Sequence, residues 1–137
     1  MSPLYAALAL ILSVETKNMD NTAIGDLHLP VARRSFGRMQ VRKPVLDDLN
    51  NWDKGAYHWT QGDSHNPNLD ILIAARWLRH YCGAKASVKT YCQVWNGGPT
   101  GRNSPDAQAY YKRAMAVKKN RPEHFRECVE EVNRRMK

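Results

Sequence analysis

Glu15 is the residue from which a chemistry can be read. It closes the nearly unbroken apolar run Pro3 to Val14, and a carboxylate ending such a helix is partly withdrawn from water. Desolvation penalises the charged form and raises the pKa. A carboxyl that keeps its proton near neutral pH can protonate a leaving oxygen. Without context, a glutamate at a helix end is a solvated terminus, so the residues that follow must decide. Asp26, in Ala23-Ile24-Gly25-Asp26, offers a second carboxylate that could act as nucleophile or as base for water. It reads equally well as a turn residue bonding its own backbone. Gly37-Arg38-Met39-Gln40-Val41 brings a backbone-permissive glycine three residues before an amide, and Val94-Trp95-Asn96-Gly97-Gly98 brings a second amide beside an aromatic ring. Tyr110-Tyr111 follows near a helix start.

These residues need elements to hold them, and local signals predict mostly helix. Ser2 caps a first helix over Pro3 to Thr16, with the proline in its first turn. Asn18, Asp20, Asn21, Gly25 and Asp26 then break the pattern, and residues 23 to 41 read as short strands and loops. Pro44 to Leu49 predicts a short helix, followed by a polar stretch from Asn50 to Asn66. Asn66-Pro67 predicts the start of the next helix and Gly83 its end. Further helices are expected over about Ala86 to Trp95, from Ser104-Pro105-Asp106 to about Lys119, and over about residues 122–136. On the last, Phe125, Val129, Val132 and Met136 share one face. The expected architecture is a single mostly α (α+β) domain over residues 1–137. A small β region lies between helices one and two, and the C-terminal helix packs on the rest.

The order and spacing of Glu15, Gly37-Arg38-Met39-Gln40-Val41, Trp95-Asn96-Gly97 and Tyr110 resembles the lysozyme-like superfamily, particularly soluble lytic transglycosylases and small phage muramidases. The resemblance covers roughly residues 5 to 115 and implies a lysozyme-like domain. By it, Glu15 matches the catalytic acid, with Thr16 where the family has Ser. Gly37, Met39 and Gln40 match the segment lining the sugar cleft, with Val41 replacing Ile. Trp95-Asn96-Gly97 is similar to the family's Tyr-Asn-Gly, and Tyr110 to a late tyrosine that approaches the catalytic Glu. Gly37 would let backbone approach a sugar without a Cβ clash. Gln40 and Asn96 each carry donor and acceptor groups suited to N-acetyl and hydroxyl groups. Otherwise both are loop residues satisfying local backbone. The implied activity is cleavage of the β-1,4 bond between N-acetylmuramic acid and N-acetylglucosamine, by transglycosylation in preference to hydrolysis. The transglycosylases carry a small polar residue near Gly25-Asp26. Asp26 departs from that and keeps hydrolysis with Glu15 and Asp26 open. Trp52 and Trp59 are candidates for the cleft rim, whereas Trp77 reads as core.

Charge and composition bound the partners. The 137 residues hold 21 Lys and Arg against 13 Asp and Glu, a net charge of +8, which favours a polyanionic partner. Arg33, Arg34, Arg38, Arg42 and Lys43 read as one basic cluster near the supposed cleft. With no motif for nucleic acid, the expected partner is the glycan strand of peptidoglycan. A basic nucleic-acid-binding module and an inactive wall-binding protein remain as alternatives. No metal or organic cofactor is implied; Cys82, Cys92 and Cys128 form no CxxC unit and read as free thiols or at most one bridge. Pro3 to Val14 is shorter than the ~20 apolar residues that cross a bilayer, and Met1-Ser2-Pro3-Leu4 lacks the basic residue of a secretory signal. The expected protein is a monomer without a transmembrane segment. By resemblance it acts on the cell wall or in the periplasm, virion-associated or released by lysis or injection.

Overall fold

The computed structural model describes residues 1–137. Seven helices and one small sheet follow in the order α1 (Pro3–Glu15), β1 (Ile24–Gly25), β2 (Ser35–Phe36), β3 (Val41–Arg42), α2 (Lys43–Trp52), α3 (Gln61–Ser64), α4 (Asp70–Cys82), α5 (Val88–Gly97), α6 (Pro105–Asn120) and α7 (Pro122–Met136). A single 3-10 turn, Val31–Arg33, precedes β2. The chain is mostly helical with a three-stranded antiparallel sheet in the order β1-β2-β3. No helix is long and apolar enough to cross a membrane.

The centre is α1. Ser2 accepts the Tyr5 amide at 3.2 Å and Pro3 stands at the helix start, where its missing N–H costs nothing. Leu4 and every residue from Ala7 to Ser13 are buried, because α4, α5, α6 and α7 pack around this helix. Each fully buried leucine or isoleucine contributes roughly 1.5–3 kcal/mol. Thr16 leaves the helix in extended conformation and donates its amide to the Leu12 carbonyl. Glu15 therefore stands where the most buried helix meets the surface.

The sheet is two residues per strand, with Gly25 opposite Ser35 and Ser35 opposite Arg42. Alternation along β2 sends Ser35 towards Asp26 and Gln40, and Phe36 to the opposite face, against His65. The β2–β3 turn needs positive φ at Gly37 (77°) and takes it also at Gln40 (53°).

Several expectations need correction. The helix expected from Asn66-Pro67 begins at Asp70. Asn66 Oδ1 instead accepts the Asn68 amide, and its carbonyl accepts those of Leu69 and Asp70, a turn that delays the helix. The fourth long helix starts at Val88, where Ser87 caps it by accepting the Thr90 amide at 3.1 Å. On α7 the buried face is His124, Cys128, Glu131 and Val132; Phe125, Val129 and Met136 lie at its margin. The basic cluster does not exist as one patch. Arg38 is 2% exposed and paired with Asp70 and Glu131. Arg34 donates to the carbonyls of Leu27 and Leu29, and Lys43 pairs with Asp47. The three cysteines are free, and burial pushes the Cys92 and Cys128 thiols up to about 12.

Candidate active site

Five elements meet at the end of α1. Glu15, Gln40 from the β2–β3 turn, Arg42 of β3, Val45 of α2, and Trp95 and Asn96 of α5 line one crevice. It encloses about 20 Å³, room for a single water molecule. Glu15 is half-buried there. Burial raises its carboxyl pKa from 4.5 to about 7. The Tyr110 hydroxyl, Arg42 and Arg113 pull in the other direction, and Asp26 adds to the rise. A carboxyl poised near neutrality can give a proton in one step and take one back in the next.

Tyr110 lies beneath this carboxyl. It is 1% exposed, and its hydroxyl makes no hydrogen bond of ordinary geometry. A buried hydroxyl without a partner is uncommon. Burial first, and then the Glu15 carboxylate, hold its pKa well above the usual tyrosine value. It therefore stays a phenol, close enough to favour the ionised form of Glu15.

Gln40 is held as firmly. Its Nε2 donates to the Gly37 carbonyl at 2.7 Å, and its Oε1 lies 2.6 Å from Ser35 Oγ. One amide hydrogen and one oxygen lone pair remain for a ligand. Its positive φ is backbone strain kept at the crevice wall. Ser35 Oγ is also 2.9 Å from Asp26 Oδ2, so its one proton serves either acceptor in turn. Asp26 has positive φ as well (57°) and sits 3.9 Å from Arg42 Nε. It does not line the crevice, yet its charge reaches Glu15.

The crevice thus brings together Glu15, Gln40, Trp95 and Asn96, with Tyr110 behind and Asp26 beside them. Two expected cleft residues stand elsewhere. Met39 is fully buried in the core. Gly37 makes its close approach to protein and not to a ligand: a Cβ there would lie 2.1 Å from the Ser64 carbonyl oxygen. Neither of the two expected rim tryptophans lines the Glu15 crevice. Trp52 stacks on His80 with centroids 3.9 Å apart, and the Trp59 indole donates to Asp53. Trp77 is core, and Trp95 meets it edge to face at 5.7 Å.

The sequence names Arg42 only within the basic cluster near the supposed cleft, and does not point to Gly25, His124 or Arg113 as contributors. Arg42 lines the crevice and donates to the Asn96 carbonyl at 3.4 Å. Gly25 leaves space for the Gln40 amide, since a Cβ there would fall 1.9 Å from Oε1. His124 Nε2 lies 3.1 Å from the Ser13 carbonyl and 2.9 Å from that of Thr16, capping the end of α1 that carries Glu15. Arg113 approaches from α6. Of Gly25, His124 and Arg113, only Gly25 has a local signal, its place beside Asp26.

A larger cavity of about 580 Å³ lies on the other face of the sheet, against Phe36, Leu46 and Trp59. Its charged side chains, Lys43 and Asp47, pair with each other at 2.8 Å, and Asn50 spends its amide on the Trp59 backbone. Asp47, the one carboxyl there, is exposed to water, unlike Glu15. No group of three or more His, Cys, Asp or Glu side chains is arranged to hold a metal ion. In comparison with protein-family models, with curated proteins and with solved structures, the chain matches nothing.

Proposed function

We propose that this chain is a lysozyme-like enzyme that cleaves the β-1,4 bond between N-acetylmuramic acid and N-acetylglucosamine in peptidoglycan. The observation that carries this reading is a single carboxyl, Glu15, ending a buried helix with its pKa raised to about 7. Amide groups and an indole suited to a sugar stand beside it. Glu15 protonates the glycosidic oxygen as the C1–O bond breaks. The carboxylate so formed is steadied by the Tyr110 hydroxyl and the Arg42 field. It then takes a proton from a hydroxyl of the same sugar, whose oxygen closes on C1 to give an anhydro end. One carboxyl suffices for this sequence of steps, and it is the reading we favour. A lysozyme-type hydrolase is the second reading, favoured by the proximity of Asp26, whose charge is felt at Glu15.

Lysis tests the proposal. A suspension of purified peptidoglycan should lose turbidity with the wild-type protein. Glu15→Gln, which keeps shape and removes the proton donor, should act at least about 10²-fold more slowly. Near wild-type lysis by a folded Glu15→Gln protein would refute the mechanism. Duplex DNA binding without lysis would favour a nucleic-acid module. Mass spectrometry of the products separates the two chemistries: anhydro ends, with Asp26→Asn still active, support transglycosylation. Reducing ends with an inactive Asp26→Asn assign Asp26 the second carboxylate role.

A further inference from the structure

Arg42 borders two hollows at once. On one side is the Glu15 crevice; on the other is an open polar hollow of about 490 Å³, lined by Arg42, Asn96, Gly97, Ser104, Asp106 and Arg113. Asn96 is also common to both, so the two form one continuous surface. No apolar side chain lines the second hollow, and its charges are two guanidinium groups and one carboxylate.

Neither guanidinium has a close anionic partner. Arg42 Nε is 3.9 Å from Asp26, and its Nη1 reaches only the Asn96 carbonyl. Arg113 makes no ion pair and rests over the Tyr110 ring, its Cζ 5.6 Å from the centroid. Both fields reach Glu15, which places them beside the bond to be cleaved. Guanidinium groups match the planar oxygen pair of a carboxylate through paired N–H donors. Asp106 narrows the choice further. An extended polyphosphate would run against its charge, whereas a single carboxylate can sit on the arginine side.

We propose that this hollow is a carboxylate subsite next to the scissile bond, by which the chain favours acid-bearing glycan over neutral glycan. The identity of the glycan rests on the function proposed above. Two carboxylates of peptidoglycan offer the required chemistry: the acids of the stem peptide and, on muramic sugars from which the stem has been removed, the freed lactyl group. Asp106 supplies the one opposing charge in the subsite.

Binding to the Glu15→Gln protein tests this without turnover. Three tetrasaccharides serve as probes: one with stem peptides, one stripped to the free lactyl carboxylate, and neutral chitotetraose. Acid-bearing probes should bind about tenfold more tightly than chitotetraose. Arg113→Gln should abolish that ratio, Arg113→Lys should keep part of it, and Asp106→Asn should enlarge it. A gain on Asp106→Asn cannot arise from misfolding. Preference for the stripped probe alone assigns the lactyl carboxylate, preference for the stem-bearing probe alone assigns the stem acids, and preference for both assigns a subsite that accepts either carboxylate. Equal binding of all three, or equal weakening of all three by Arg113→Gln, would overturn the subsite. Absence of lysis by the wild type would instead remove the glycosidase proposal, and the carboxylate preference would still be measurable.

Discussion

Replacing Glu15 by Gln should stabilise the folded protein at alkaline pH even as it removes activity. In the unfolded chain the carboxyl ionises near 4.5, and in the folded protein near 7. Between these values the folded protein holds a proton that the unfolded chain has released, so stability falls as pH rises. The 2.5-unit interval from 4.5 to 7, at about 1.4 kcal/mol for each pH unit, corresponds to ~3 kcal/mol. This contribution is fully present below pH 4.5, nearly gone at pH 7 and absent above it. Glu15→Gln has no such dependence. The difference in unfolding free energy, variant minus wild type, should therefore grow by ~3 kcal/mol from pH 4.5 to pH 8, on the order of 10 °C in Tm. Urea titrations followed by tryptophan fluorescence at each pH give this difference directly. Other titrating groups, Asp70 among them, are common to both proteins and cancel. A difference that stays flat over that range would refute the desolvation of Glu15, and with it the reason for assigning it the acid role.

Three further outcomes follow from the geometry. Tyr110→Phe removes the hydroxyl that favours ionised Glu15, so the alkaline limb of the pH–rate profile should move above pH 7; a shift towards acid would contradict the assigned contact. Gly25→Ala would place a methyl group 1.9 Å from Gln40 Oε1 and 2.6 Å from Ser35 Oγ, so kcat/KM should fall by as much as about 10²-fold, with the helical circular dichroism unchanged. Arg38→Met leaves Asp70 buried without its charged partner, while Glu131 keeps only the more exposed Arg134 and Arg135, at a cost of about 3–5 kcal/mol in urea unfolding. Replacing Arg38, Asp70 and Glu131 together by apolar residues should recover most of it.

Much of the helical framework is legible because its signals act over three or four residues. Ser2 with Pro3, and Ser104 with Pro105, accept amides three positions on, and Gly83 and Gly98 end helices at positive φ. The end of a helix apolar all round likewise placed Glu15 at the edge of the core from composition alone. Gln40, Trp95, Asn96 and Tyr110 were named from the order of motifs along the chain, and the fold gathers them at one point. What tertiary structure decided are the pairings between distant residues. Arg38, in a basic stretch of sequence, is buried because Asp70 and Glu131, 32 and 93 positions away, neutralise it. That same pairing turns Glu131 inward and rotates the buried face of α7 to His124 and Cys128. Arg42 and Arg113 differ from other surface arginines only in facing one hollow from β3 and α6. Charge along a sequence is a sum, and only packing determines which charges meet partners inside, which face a ligand and which face water.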